Sequence, residues 1–193
     1  MKVAIFSLKG GQGKTTLGTE LALNLGAGIV TNEVYSPLEM ILPESSIIKL
    51  GANDQLPQIP DEVPVVYDFG GYADKRVLDA VKEAKHTIVP ICYESKLDMQ
   101  LAISTVQELE GHAQSIALVI NKTAKEKVEE AVKLLGELFP QYPIFIVNKS
   151  KALANLAENK KPVSELVQGN ALNAWTYRNL HKQINELVEF IKA

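Results

Sequence analysis

Eight residues near the start of the chain, Lys9-Gly10-Gly11-Gln12-Gly13-Lys14-Thr15-Thr16, constrain its fold more than any other stretch. They follow an apolar run, Val3-Ala4-Ile5-Phe6, and precede Leu17, Leu21 and Leu25 at helical spacing. Strand, glycine loop, helix is the setting a phosphate-binding loop requires. Gly10, Gly11 and Gly13 lack a Cβ, so the backbone there is free to take positive φ and approach a ligand closely. Inward-turned N–H groups form an anion nest. A helix starting near Lys14 adds unpaired N–H groups and the positive end of its dipole. A polyphosphate suits such a site. Lys14 is placed for the β- and γ-phosphates, Thr15 for Mg²⁺ through its hydroxyl, and Thr16 for the α-phosphate. The match to G-x-x-x-x-G-K-[ST] is incomplete, because Leu8 occupies the opening glycine slot, whereas Gly13-Lys14-Thr15 is intact.

Lys-Gly-Gly-x-Gly-Lys-Thr-Thr after an N-terminal strand resembles the deviant Walker A motif of the ParA/MinD ATPases. The resemblance implies a P-loop fold, bound ATP and Mg²⁺, and an ATP-dependent homodimer with nucleotide between the subunits. It implies that Lys9 reaches the partner's phosphates and neutralises charge there, as an arginine finger does. On that basis Lys9 and Lys14 are the expected catalytic cations, and Lys9 through Thr16 the expected nucleotide-binding residues.

The rest of the chain reads as alternating strands and helices, which predicts a doubly wound, mostly parallel α/β sheet with helices on both faces. Expected strands are Lys2–Ser7, Ile29–Val34, Val63–Asp68, Thr87–Cys92, Ile116–Ile120 and Ile144–Val147, with a further candidate at Ile47–Leu50. The first helix is expected to end at Gly26-Ala27-Gly28. Asp74 is a candidate cap for a helix bearing Val77 and Val81, and Ser95 with Asp98 reads as a capping box closed later by Gly111. A helix bearing Val128, Val132 and Leu135 stops before Pro140. A short helix from about Lys151 to Glu158, a turn at Pro162 and a closing helix over Ala171–Lys192 complete the pattern. The five prolines between Pro37 and Pro64 mark an irregular stretch. With 193 residues and no evident linker, a single domain over 1–193 is expected.

Val65-Val66-Tyr67-Asp68-Phe69-Gly70-Gly71 is the second chemical stretch. An acid ending a buried strand beside the P-loop strand is placed to hold Mg²⁺ through water, and the two glycines permit a loop near the γ-phosphate. Thr15 and Asp68 are thus the metal candidates. At the end of the second strand the chain departs from the ParA pattern. The family's Asp-x-Asp is replaced by Thr31-Asn32-Glu33, with Thr31 and Glu33 in the acid positions. Glu33 is the candidate for orienting the attacking water. Its longer side chain predicts slow, partner-dependent or lost hydrolysis. Asn121-Lys122 resembles the family's base-binding segment, with the Asn121 amide able to donate and accept.

Net charge is −3, which gives no global pull toward nucleic acid or anionic lipid. Lys122, Lys125, Lys127, Lys149, Lys151, Lys160 and Lys161 nevertheless offer a local surface for non-specific DNA, with Glu126, Glu129, Glu130 and Glu158 interleaved. The one cysteine, Cys92, lies in an apolar run and argues against an iron–sulfur relative. With no signal peptide or membrane-length run expected, the cytoplasm is the expected location. The closing helix has no basic stripe, so packing on the sheet is expected in place of membrane binding. Together these readings imply a ParA-like ATPase switch for DNA (plasmid) partition or positioning, with a stimulatory ParB-like partner. Alternatives are a conjugation- or protein-positioning ATPase that does not touch DNA, and an ATP-gated interaction module with little turnover.

Overall fold

The computed structural model describes residues 1–70 and 74–193. Its seven strands are β1 (Lys2–Ile5), β2 (Gly28–Thr31), β3 (Ile47–Lys49), β4 (Val65–Asp68), β5 (His86–Ile91), β6 (Ile116–Asn121) and β7 (Ile144–Val147). They form one sheet in the order β3-β2-β4-β1-β5-β6-β7, parallel throughout. The chain builds outward to β3, returns to β4 beside β1, and then builds the other side from β5. The reversal puts the carboxyl end of β1 between β4 and β5, where open α/β sheets bind ligands.

Side chains alternate across the sheet as strand geometry demands. Ala4, Phe6, Val65 and Tyr67 face one core, which α2 (Arg76–Glu83), α3 (Lys96–Leu109) and α4 (Lys125–Leu138) cover through Val77, Val81, Val106 and Leu135. Val3, Ile5 and Val66 face the other, against Leu17 and Leu21 of α1 (Lys14–Leu25) and Ile184 and Leu187 of α8 (Ala171–Lys192). Helices therefore lie on both faces, as the alternating pattern predicts.

Several boundaries differ from the sequence reading for identifiable reasons. β2 stops at Thr31, three residues short, because Asn32 turns its side chain to Gly70 and Ser36 N–H closes a turn on the Glu33 carbonyl at 2.9 Å. The expected helix over 151–158 is two pieces, α5 (Lys151–Ala154) and α6 (Leu156–Asn159), and the Pro162 turn opens α7 (Val163–Gly169). The buried Glu20 in α1 holds α7 in place by accepting Val163 N–H at 2.9 Å. The capping box at Ser95 and Asp98 is present, and α8 has the bounds expected. Asp74 accepts Arg76 N–H at 3.0 Å at the start of α2. Gly71 lies outside the described residues. No helix among the described residues is long and apolar enough to cross a membrane.

Leu135 and Leu187 are fully buried, one on each face, whereas Leu138 is exposed. Leu135→Ala and Leu187→Ala should each cost about 2–5 kcal/mol in denaturant unfolding, and Leu138→Ala no more than about 0.5 kcal/mol.

Candidate phosphate-binding site

The carboxyl end of β1 runs into the loop of Lys9 to Gly13, and Gly13 immediately precedes α1. Gly11 and Gly13 take left-handed backbone, with φ of 76° and 81°. Gly10, grouped with them on sequence grounds, does not. At Gly13 space is restrictive as well, since an added Cβ would lie 2.6 Å from Asn121 Nδ2. No side chain caps the N-terminus of α1, and its first turn contains no acid. Its leading N–H groups and its dipole are therefore available to an anion.

The neighbouring strand ends hold the loop in this shape. Asn121 Nδ2, at the end of β6, donates to the Gln12 carbonyl at 2.7 Å. Lys122 Nζ donates to the Gly11 carbonyl at 3.1 Å, from a residue that is itself left-handed at φ 56°. The buried Gln12 side chain accepts Cys92 N–H at the end of β5, and Leu8 N–H donates to Thr105 Oγ1 of α3 at 3.2 Å. Sequence reasoning missed these roles of Gln12, Lys122 and Thr105. A polar residue within an otherwise glycine-rich loop was the one signal for Gln12.

Asp68, at the end of β4, is 1% exposed, and neither carboxylate oxygen has a hydrogen-bond partner of normal geometry. Burial pushes its pKa from 3.8 to about 6; the nearby Thr15 hydroxyl and Lys14 oppose the rise, and the Glu33 carboxylate adds to it. An ionised carboxylate without partners inside a protein is costly unless a cation completes it. Among the described residues no three His, Cys, Asp or Glu side chains gather to form a metal cage. A cation here would draw its remaining oxygens from phosphate and water, as Mg²⁺ does. Asp68 and the Thr15 hydroxyl thus fit the metal that the sequence implies.

Glu33 is exposed, and its carboxylate lies over Gly70, where an added Cβ would fall 2.2 Å from Oε1. Thr31 is fully buried and its hydroxyl accepts Glu33 N–H at 3.1 Å. Of the two positions aligned with the family's acids, only Glu33 therefore presents an acid to the site.

Lys9 forms an ion pair with Asp98 on α3 of its own chain. Burial alone would raise the Asp98 pKa, but Lys9 and the N–H groups of Glu94 and Ser95 outweigh it and hold the carboxyl at about 2. On the other side of the loop, Thr16, Asn121, Lys149, Ser150 and Leu153 line a cavity of 340 Å³. Asn121, the expected base-binding residue, lines this cavity, and its Nδ2 donates to the Gln12 carbonyl. Lys122, Lys125, Lys127 and Lys149 share an adjoining groove of 550 Å³ with Glu94 and Glu126.

The fold and this loop define a P-loop protein. No family model matches the sequence, and no curated protein matches it. Solved structures do share the architecture. An ATP complex of a McdA variant from Cyanothece superposes with a TM-score of 0.68 at 18% identity, over 99% of this chain and 96% of that one. MinD with Mg-ADP from Pyrococcus horikoshii gives 0.63 at 15% identity, over 98% and 94%. A ParA family ATPase from Chlorobium tepidum gives 0.62 at 13% identity, over 97% and 98%. The chain has the ParA/MinD-like P-loop fold.

The buried acid makes a test possible. An acid whose pKa is higher folded than unfolded adds stability below about pH 4, and that contribution is lost as the pH rises through about 6. Asp68→Asn should therefore melt roughly 5 °C above the parent at about pH 8 without ligand, and the gap should close toward about pH 4. With Mg-ADP added at about pH 8, the parent should gain more in melting temperature than the variant.

Proposed function

We propose that this chain is a Mg-ATP-dependent ATPase of the ParA kind, working as a dimeric switch in partition or positioning. The observation that carries the reading is a preformed, uncapped helix N-terminus beside a buried acid without partners. Together they suit a triphosphate and its metal. ATP in the Cyanothece McdA structure and Mg-ADP in Pyrococcus MinD support that ligand.

In this reading the Lys9–Thr16 loop binds the phosphates, Lys14 faces the β- and γ-phosphates, and Thr15 with Asp68 holds Mg²⁺. The metal offsets the charge that develops on the phosphate oxygens. Glu33 orients the water from above Gly70 and accepts its hydrogen bond. In the dimer Lys9 exchanges Asp98 for the partner's phosphates, which links ATP occupancy to association. The base lies against Asn121 and Lys149. The lysine groove offers a sequence-independent surface for DNA, doubled by dimerisation. A ParB-like protein stimulates turnover.

One observation favours a second reading, an ATP-gated module with little hydrolysis. Thr31 is buried and Asn32 bonds Gly70, so Glu33 alone supplies an acid there. Single-turnover phosphate release with DNA present separates the two readings.

Sizing by light scattering with Mg-ATP should show dimers for the parent and monomers for Lys9→Ala and Lys14→Ala. Calorimetry should show Lys9→Ala retaining ATP within about threefold and Lys14→Ala losing at least about a hundredfold. A parent that gives no heat with Mg-ATP would overturn the proposal. On duplex DNA, the ATP-loaded parent should be retained at low salt. Charge reversal of Lys125 and Lys149 should reduce the salt slope by about one for each phosphate no longer neutralised. A slope unchanged by these substitutions would assign the cargo to a protein.

A further inference from the structure

One side-chain amide ties together the end of β2, the exit of β4 and the start of α2. Asn32 Nδ2 donates to the Gly70 carbonyl at 2.8 Å and to Asp74 Oδ2 at 2.7 Å, while Asn32 Oδ1 accepts Gly70 N–H at 2.9 Å. The amide meets both backbone polar groups of one residue, as a neighbouring strand would. It thereby prolongs the β2–β4 pairing beyond its last backbone register, Thr31 with Asp68. Asp74 is gripped in turn by Arg76, through Nε at 2.8 Å and Nη2 at 2.6 Å. Arg76 Nη1 reaches the carbonyls of Gly51 at 2.8 Å and Asp54 at 2.9 Å. The amide, the ion pair and the loop after β3 form one connected network.

The chemistry asked of position 32 is narrow. One short planar group must donate twice and accept once, and among side chains a carboxamide does this. A carboxylate of the same shape keeps the acceptor, loses both donors and sets a second negative charge against Asp74. Glutamine is longer by one methylene. The residue held by the amide, Gly70, is the one that the Glu33 carboxylate covers. The Gly70 peptide is therefore the surface over which the Glu33 carboxylate lies.

We propose that Asn32 is a positioning residue for Glu33: its carboxamide clasps the Gly70 peptide beneath that carboxylate and anchors the clasp through Asp74 to Arg76. The kinetic consequence rests on the ATPase reading above, whereas the structural one does not. The replacement of the family's intervening residue by asparagine is on this view a working part of the site.

The test uses the full chain with Asn32→Ala, Asn32→Asp and the double variant Asn32→Asp/Asp74→Asn. Hydrogen exchange at the Gly70 amide without nucleotide reads the clasp itself. Both single variants should exchange about tenfold faster or more: Asn32→Ala removes the acceptor of the Gly70 N–H, and Asn32→Asp keeps that acceptor but sets it against the Asp74 carboxylate and the Gly70 carbonyl, which forces the clasp open. Calorimetry should give Mg-ATP affinities within about threefold of the parent, while single-turnover hydrolysis falls about tenfold, the split expected when positioning and not binding is lost. Asn32→Asp, although isosteric, should do no better than Asn32→Ala. Adding Asp74→Asn should recover at least about threefold in both exchange and turnover, because the carboxamide then at position 74 donates to the carboxylate then at position 32. Parent-like exchange at Gly70 in Asn32→Ala would overturn the proposal, since it would reduce position 32 to packing. Affinity falling in step with turnover would overturn the positioning role. If the parent neither binds nor hydrolyses Mg-ATP, the function proposed above fails, and the exchange arm alone still decides the clasp.

Discussion

The open N-terminus of α1 is the constraint to which the rest of this structure answers. A helix start without a side-chain cap leaves several N–H groups unpaired, and the polar groups of the loop that pack against the strand ends need partners of their own. The chain resolves the conflict by bonding the outward-facing groups of the loop and leaving the inward-facing ones open. Asn121 and Lys122 take the carbonyls of Gln12 and Gly11, Gln12 takes the Cys92 amide, and Thr105 takes the Leu8 amide. The donors at the start of α1 remain for an anion. The parallel sheet makes this possible, because β5 and β6 end at the level of the loop and deliver these groups to it.

Two buried acids, Glu20 and Asp68, show how differently the same cost is met. Glu20 is fully buried, yet one of its oxygens accepts both Val163 N–H and the Asn24 amide. It works as a strut between α1 and α7, and its pKa is raised by burial. Asp68 is as deeply buried, and neither of its oxygens has a hydrogen-bond partner of normal geometry. A stabilising role would have supplied donors; their absence beside Thr15 and an uncapped helix end points to a ligand. Glu20 leaves one oxygen without a partner, whereas Asp68 leaves both, and a wholly orphaned carboxylate is more informative than burial because folding selects against it.

Much of this was legible in the sequence, and the limit has a physical explanation. The loop and both its flanks follow from local chemistry: glycine spacing, an apolar strand and a periodic helix. The Ser95–Asp98 box and the bounds of α8 are likewise local. The misread segments depend on distant partners. β2 ends early because Asn32 bonds Gly70, 38 residues on. α7 starts at Val163 because Glu20, 143 residues away, receives its amide. Gln12 bonding Cys92 and Lys9 pairing with Asp98 belong to the same class, spanning 80 and 89 residues. Periodicity and capping rules report neighbours within a turn or two, and the long-range polar bonds that shape this site leave no such trace.

The Lys9–Asp98 pair illustrates why one chain and a dimer need not conflict. Lys9 is partly exposed, so the pair gains little from its Coulomb attraction in water. Asp98 is nearly buried, and removing a lone partner from a buried acid is ordinarily severe. Here Asp98 Oδ2 also accepts the N–H groups of Glu94 at 2.9 Å and Ser95 at 2.8 Å, and the Ser95 hydroxyl at 3.1 Å. These donors, together with the N-terminal end of α3, keep the carboxylate satisfied when the lysine departs. In the reading proposed here, Lys9 balances Asp98 in a single chain and is drawn away by a polyphosphate of higher charge. On that reading the imbalance gives the switch its direction: the cation moves to the greater negative charge, and only a second chain carrying nucleotide provides it.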